Sequence, residues 1–122
     1  MKRFFIYIFL VLSFCSSGFT KETTFKKELF DKAQAEGKVV IVSSWIKYCT
    51  SCASQMKVLD KAKNDFDNIE YFAFDVTNKE IAEFFDVQYQ TTLLIFKDKK
   101  LVYRSIGETS KDLIYKAIQS SI

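Results

Sequence analysis

The chain has 122 residues, of which 48% are hydrophobic and 27% are charged. This length suits one domain, and this composition favours a buried core over a disordered chain. The net charge of +3 comes partly from the amino terminus, where Lys2 and Arg3 precede any acidic residue. The charge is therefore no argument for nucleic-acid binding. The sequence contains no histidine, which excludes Ser-His-Asp and Cys-His nucleophilic sites and histidine-bound metals.

The amino terminus has the pattern of a secretion signal. Its basic residues are followed by an apolar run at 4–14 and by small residues at 16–18. The run is too short to span a membrane, which needs about 20 apolar residues. We expect residues 1–20 to be cleaved and residues 21–122 to form a domain that works outside the cytosol. The alternatives are retention as an anchor and lipidation at Cys15, and only these would place the protein on a membrane.

After this leader the chain alternates between helical and strand patterns, which predicts one α/β domain. In chain order, the predicted elements are a helix at 24–36, a strand at 39–42, a helix from 52 onward, a strand at 69–76, a helix at 79–86, strands at 92–96 and 101–105, and a helix after 110. The β-branched run at 39–42 is typical of a central buried strand. The βαβ unit that begins with this run should be parallel and right-handed. The last two strands flank a charged turn and predict a hairpin.

Capping residues predict where two of the helices begin. Thr77 with Glu80 three residues later has the pattern of a capping box for the third helix. Thr109 or Ser110 is expected to cap the last helix. The apolar residues of that helix are expected to face inward: Leu113, Ile114, Ala117 and Ile118.

Cys49 and Cys52 lie where the buried strand passes into the second helix. The free N–H groups and the positive end of the helix dipole at this point lower the pKa of a thiol, and the thiolate is the nucleophile. Lys47 adds positive potential. A spacing of three residues on a helix brings the two side chains close enough for a disulfide. We predict that Cys49 is exposed and attacks a partner, while Cys52 is more buried and resolves the mixed disulfide.

Other interpretations of two cysteines at this spacing stay open at this point. A zinc site would need about four ligands, and the sequence offers two thiols here and no histidine. A structural disulfide would close a very short ring and add little stability through loop entropy. Two unreactive core cysteines are the third alternative. The spacing alone does not decide between these and redox chemistry.

The segment 44–52 resembles the active-site segment of the thioredoxin superfamily. Trp45 stands at the tryptophan of that family, and Tyr48 is the aromatic residue before the first cysteine. The segment 85–96 is similar to the family's entry into its third strand, and Gly107 is similar to its glycine before the last helix. The resemblance covers most of the chain after the leader.

This resemblance implies both a fold and an activity. The fold would be α/β and thioredoxin-like, with a central mixed sheet of about four strands and helices on both faces. The activity would be that of an exported thiol–disulfide oxidoreductase in the bacterial periplasm or cell envelope, with Cys49 and Cys52 as its redox pair. The implied partners are protein thiols and disulfides, with a membrane thiol–disulfide electron donor as a further candidate. No cofactor, metal or nucleic acid is implied.

The sequence departs from the family where a cis-proline is normally found, because Thr91 stands at that position. A cis bond before a residue other than proline costs about 3–4 kcal/mol in peptides, so we predict that the Gln90–Thr91 bond is trans. The family's loop pairs with the substrate backbone here, so substrate docking should be affected. The missing proline would also let a metal approach the thiolates.

Two further departures lie near the cysteines. Ser43 replaces the buried acid that assists the resolving cysteine, and activation of that cysteine should be slower because a hydroxyl is a poor proton acceptor. Thr50 and Ser51 replace Gly-Pro between the cysteines. Their hydroxyl and N–H groups are expected to stabilise the Cys49 thiolate, which would make the disulfide more oxidising.

Aromatic residues are expected around the cysteines. Trp45, Tyr48 and Tyr89 would form an apolar rim that binds an extended protein chain. The alternative for Trp45 is a place in the core under the active-site loop. Two other functions also remain: a binding module with weakened catalysis, and a Cu(I) site on the thiolates.

Overall fold

The computed structural model of the protein describes residues 23–122, so the predicted leader and Cys15 lie outside the described residues. Its elements are α1 (Lys27–Ala35), β1 (Val39–Trp45), α2 (Thr50–Asp65), β2 (Ile69–Asp75), α3 (Lys79–Phe85), β3 (Thr92–Lys97), β4 (Lys100–Ile106) and α4 (Lys111–Ser121). The predicted order and type of the elements are confirmed. Within this part of the chain, no helix is long and apolar enough to cross a membrane.

The strands form one mixed sheet in the order β2-β1-β3-β4. β1 and β2 are parallel, with Val39 opposite Ile69. β3 is antiparallel to β1 and forms an antiparallel hairpin with β4. The β-branched run of β1 therefore occupies an inner position of the sheet, where both neighbours satisfy its backbone hydrogen bonds. The predicted parallel βαβ unit and the predicted hairpin are both confirmed.

Side chains of β1 alternate between two cores, one on each face of the sheet. Val39 and Ile41 pack with residues of α2 and α4. Val40 and Val42 pack with residues of α1 and α3, in a core rich in phenylalanine. Helices therefore cover both faces of the sheet, as predicted.

The first helix begins three residues later than predicted, at Lys27 rather than Thr24. The preceding residues extend along the edge of β2 instead. Ala73 donates its N–H to the carbonyl of Thr23 at 2.7 Å, and Phe25 donates its N–H to the carbonyl of Ala73 at 3.1 Å. These sheet-type bonds need an extended backbone, so they prevent the helix from starting earlier.

The predicted capping box of α3 is wrong. Asn78 is the cap, and its side chain accepts the N–H of Ile81 at 3.3 Å. Thr77 instead donates its hydroxyl to the carboxylate of Asp75 at 2.8 Å. The acidic residue at the end of β2 thus competes for the threonine, which a local capping pattern does not take into account.

The start of the second helix is confirmed and one detail of the last helix needs correction. Cys49 caps α2, whose first residue is Thr50, so the cysteine pair opens this helix as predicted. The cap of α4 is Ser110, and its predicted inward residues are buried except Leu113, which is 52% exposed. Leu113 lies beside the buried face of α4, where the groove towards β4 leaves it open to solvent.

Candidate active site around Cys49 and Cys52

Cys49 and Cys52 form a disulfide at the junction of β1 and α2, with their Cα atoms 5.3 Å apart. Cys49 is the N-cap of α2, and its sulfur accepts the N–H of Cys52 at 3.2 Å. A donor aimed at the sulfur favours the thiolate over the thiol. The helix start therefore places the first cysteine in the electropositive surroundings that the sequence predicted.

The two cysteines differ in burial. Cys52 is only 2% exposed, whereas Cys49 is half-buried and follows the fully exposed Tyr48. The predicted difference in burial is confirmed, although Cys49 is less exposed than expected. An external sulfur can approach Cys49 more readily than Cys52, and the catalytic roles of the two residues stay predictions.

Two hydroxyl groups contact the sulfurs. The Oγ1 of Thr91 lies 3.1 Å from the Sγ of Cys52 and 3.6 Å from the Sγ of Cys49. The Oγ of Ser51 lies 3.4 Å from the Sγ of Cys49, as expected for a residue that stabilises its thiolate. Thr50 is exposed, and within residues 23–122 its hydroxyl makes no such contact.

Thr91 approaches the disulfide with a backbone unlike that of a cis-proline. No peptide bond among residues 23–122 is cis, so the predicted trans bond before Thr91 is confirmed. The φ of Thr91 is 61°, a left-handed conformation that is rare for a β-branched residue. Its N–H donates to the carbonyl of Ser44 at 2.9 Å, and its carbonyl accepts the N–H of Gly107 at 2.9 Å. These bonds hold the residue in a conformation that it would not adopt alone.

Gln55 is a site residue that the sequence reasoning missed. It is fully buried in α2, and its Nε2 donates to the carbonyls of Thr91 at 3.2 Å and Glu108 at 2.9 Å. Among residues 23–122, its Oε1 is buried without a hydrogen-bond partner. One signal was available: Gln55 follows Cys52 by three residues and precedes Leu59 by four, so this polar residue falls on the buried face of the helix.

Ser43 stands at the position where a buried acid would assist the resolving cysteine. It is fully buried in β1, and its hydroxyl is hydrogen-bonded to that of Tyr71 at 2.7 Å. Burial raises the pKa of Tyr71 far above its ordinary value, so this hydroxyl stays protonated. The pair is neutral, and it supplies no carboxylate near β1 for proton transfer.

The predicted aromatic rim is partly formed. Tyr48 is fully exposed and Tyr89 is 59% exposed, whereas Trp45 is half-buried and packs against the core as the alternative held. Trp45 also contributes to an open groove of about 540 Å³ beside Cys49. The groove is lined by Trp45, Ile46, Lys47, Tyr48, Cys49, Thr50, Cys52, Ala53 and Met56.

Among residues 23–122, no three or more His, Cys, Asp or Glu side chains come together as a metal site would require. The oxygen of Thr91 stands beside the sulfurs, on the side where the missing proline was expected to leave room for a metal.

Comparisons with known proteins agree with this geometry. The family model described as Thioredoxin matches residues 18–120. Thioredoxin from Chlamydia trachomatis is 29% identical over 93 residues, which cover 75% of this chain and 90% of that protein. Thioredoxin H-type from Fagopyrum esculentum is 26% identical over 90 residues, which cover 73% of this chain and 78% of that protein. The structure of Trxlp from Edwardsiella tarda is 28% identical with a TM-score of 0.70, and the match covers 76% of this chain and 93% of that one.

A cysteine pair at the start of a helix, on a mixed sheet with helices on both faces, together with the thioredoxin relatives, identifies a thiol–disulfide oxidoreductase. The family match extends over most of the sequence, so the chain belongs to the thioredoxin family. Its sheet and helices have the thioredoxin-like fold.

Proposed function

We propose that the protein is an exported thiol–disulfide oxidoreductase that acts on other proteins, with Cys49 as the attacking and Cys52 as the resolving cysteine. The observation that carries this proposal is the asymmetry of the disulfide. Cys49 lies at the helix start beside an open groove, and Cys52 is buried behind it.

The chemistry follows from the two positions. The Cys49 thiolate attacks one sulfur of a protein disulfide, forms a mixed disulfide and releases the other sulfur as a thiol. Cys52 then attacks the Sγ of Cys49 and releases the second thiol. The net result is one reduced substrate disulfide and one oxidised Cys49–Cys52 pair, and the reverse sequence oxidises a substrate dithiol.

The groove beside Cys49 supports a protein as the substrate. Its lining is mostly apolar and includes the fully exposed Tyr48, and Tyr89 is a second exposed aromatic residue, on the loop before β3. Aromatic side chains of this kind supply contact area for an extended chain. The N–H and carbonyl of Thr91 are already bonded within the protein, so docking depends on side chains of the rim more than on the Thr91 backbone.

Trapping of the mixed disulfide tests the catalytic roles. With insulin as the substrate and dithiothreitol as the reductant, the wild-type protein should accelerate reduction and Cys49→Ser should not. Cys52→Ser should accumulate a mixed disulfide through Cys49, because the resolving thiol is gone. Full activity of Cys49→Ser, or no trapped product with Cys52→Ser, would contradict the proposal. A wild-type protein without redox activity, whose partner binding is unchanged by Cys49→Ser, would favour a binding module.

The direction of catalysis follows from the reduction potential of the pair. A value near about −270 mV would make the protein a reductant that needs an electron supply, for which a membrane thiol–disulfide protein is the proposed donor. A value near about −120 to −180 mV would make it an oxidant or isomerase. Equilibration with glutathione and dithiothreitol, followed by thiol trapping and mass measurement, distinguishes the two.

Export is proposed from the sequence of the leader. The full chain expressed in a bacterium should appear in the periplasmic fraction, with a mass that corresponds to cleavage near residues 18–20. Full-length protein in the cytoplasm would contradict export. A Cys15→Ser variant separates cleavage from lipidation, because only lipidation requires that cysteine.

A further inference from the structure

Resolution of the mixed disulfide requires Cys52 to lose a proton in a buried place, where a thiolate is disfavoured. Position 43, where a buried acid would assist this step, holds a serine whose hydroxyl is hydrogen-bonded to that of Tyr71. Within residues 23–122, the hydroxyl that contacts the Sγ of Cys52 is that of Thr91, at 3.1 Å. We propose that Thr91 and Ser51 form a relay of two hydroxyls that moves the Cys52 proton between the buried sulfur and solvent. This inference rests on the proposed function.

The contacts form a continuous chain from the interior to the surface. The Oγ1 of Thr91 lies 3.1 Å from the Sγ of Cys52 and 3.0 Å from the Oγ of Ser51. Thr91 is 4% exposed, whereas Ser51 is exposed at the start of α2. A hydroxyl donates one hydrogen bond while it accepts another, so each member can receive a proton on one side and release one on the other.

The resolving step balances through this chain. The thiol proton of Cys52 passes to Thr91 as Thr91 gives its own proton to Ser51, and Ser51 releases one proton to water. The Cys52 sulfur forms a bond to the Sγ of Cys49, and the bond from Cys49 to the substrate sulfur breaks. The substrate sulfur keeps the electron pair and takes one proton from water. In the reverse reaction Cys52 leaves as a thiolate, and the same hydroxyl delivers its proton.

Gln55 is the positioning residue of this relay. It donates to the carbonyl of Thr91 and ties it to the carbonyl of Glu108, on the loop before α4. Its buried Oε1 has no partner within the part of the chain that the structure describes, which is unfavourable for stability. This unfavourable burial is explained if the Nε2 of Gln55 is needed to hold Thr91 in its left-handed conformation. That conformation directs the Thr91 hydroxyl to the sulfur of Cys52.

Single-turnover kinetics of the full protein tests the relay. The reduced protein is mixed with dithiobis(nitrobenzoate), which releases one coloured thiolate when Cys49 attacks and a second when Cys52 resolves. Thr91→Val keeps the shape of the side chain and removes the hydroxyl. We expect its second phase to slow by about tenfold to a hundredfold at neutral pH, because a hydrogen bond to a charged group is lost. The first phase should change less, and Thr91→Ser should restore the second.

The pH profile separates a proton role from a structural one. At alkaline pH Cys52 ionises without help, so the second phases of wild type and Thr91→Val should converge. A slowdown that is the same at every pH would overturn the relay, as would a second phase equal to that of wild type throughout. Gln55→Met should slow the second phase in the same pH-dependent way, and an unaltered second phase would remove Gln55 from the inference.

Ser51→Ala provides an independent test at an exposed position, where the fold is not at stake. The relay predicts a slower second phase for this variant at neutral pH, with recovery at alkaline pH. An unchanged second phase would overturn the role of Ser51. A wild-type protein that releases no second thiolate would contradict the proposed function itself, whereas two normal phases in both wild type and Thr91→Val would contradict the relay alone.

Discussion

Two residues beside the disulfide have backbones in the left-handed region. Tyr48, immediately before Cys49, has a φ of 65°, and Thr91, on the facing loop, has a φ of 61°. Neither residue type favours this conformation, which costs about 1–2 kcal/mol for an ordinary side chain. Strained backbones of this kind concentrate at functional sites, where the surrounding structure holds them in place.

A substitution at Tyr48 can separate the effect of the left-handed backbone on stability from the role of the aromatic ring in substrate binding. Its side chain is fully exposed, so Tyr48→Asn removes little packing and introduces a residue that tolerates the left-handed region. We expect the free energy of unfolding to rise by about 0.5–1 kcal/mol in urea titrations. The kcat/KM for insulin should fall because part of the aromatic rim is lost, while the rate with dithiobis(nitrobenzoate) should change little. A less stable variant with normal insulin kinetics would contradict this explanation.

At the scale of elements, α4 helps to hold the helix that carries the cysteines. Tyr115 of α4 donates its hydroxyl to the carboxylate of Asp65, the last residue of α2, at 2.6 Å. Its ring also lies 5.2 Å from that of Phe66, measured between ring centroids. Burial, and then the bond to the negatively charged Asp65, raise the pKa of Tyr115 to about 12.

Tyr115→Phe removes this bond and keeps the ring. A folded-state pKa above the unfolded value of 10.0 adds stability that is fully present below pH 10.0 and is lost as the pH rises towards about 12. The variant should lose about 0.5–1 kcal/mol at neutral pH, as expected for one hydrogen bond near the surface. Its stability should then fall less steeply than that of wild type above pH 10.0. Parallel alkaline profiles in urea unfolding would contradict the assignment.

The hairpin of β3 and β4 turns through Asp98 and Lys99, which have φ values of 52° and 66°. Both residues are left-handed, as in the two-residue turns whose twist matches that of the strands, and Asp-Gly is a favoured pair there. Lys99→Gly should therefore raise the free energy of unfolding by about 0.5–1 kcal/mol. Lys100→Gly is the matched control: it lies within β4, where glycine should destabilise the protein. Equal effects of the two substitutions would contradict the turn assignment.

At the scale of the whole molecule, the segment before α1 would connect the predicted leader to the domain. Thr23 and Phe25 bond to the edge of β2, and the Phe25 ring packs in the core between the sheet and the helices α1 and α3. Its ring centroid lies 4.9 Å from that of Phe85 and 5.7 Å from that of Phe30. Cleavage near residues 18–20, as predicted, would leave this anchoring segment in the mature protein.

Phe25→Ala should destabilise the protein without changing its chemistry. Removal of a buried phenylalanine costs about 3–5 kcal/mol, a large part of the stability of a typical domain. Phe25 belongs to the core on the opposite face of the sheet from α2, so the reduction potential of the cysteine pair should stay close to that of wild type. Chemical unfolding and glutathione equilibration measure the two quantities, and a clear shift in potential would contradict the separation of the two cores.

The cysteine pair and the order of the elements were predictable because local patterns encode them. The β-branched run of β1 and the spacing of Cys49 and Cys52 are features of short segments. The predictions made from them, an inner strand and a cysteine pair at the start of a helix, were correct. The capping box at Thr77 was wrong because Asp75 competes for the threonine hydroxyl. Leu113 was wrongly predicted to be buried. Helical spacing shows which residues share a face of the helix, but it does not show how far the neighbouring elements cover that face.

The sequence by itself determined that the chain alternates strands and helices. It also determined that two cysteines lie at the start of a helix, directly after the buried strand β1. Only the tertiary structure decided what surrounds them. Thr91 lies 39 residues from Cys52 along the chain, and Gln55 binds carbonyls 36 and 53 residues away. These contacts depend on the pairing of β1 with β3 and on the packing of α2 against the loops, which join distant segments. Local periodicity carries no information about such pairing, so the hydroxyl beside the buried sulfur becomes visible only in the folded chain.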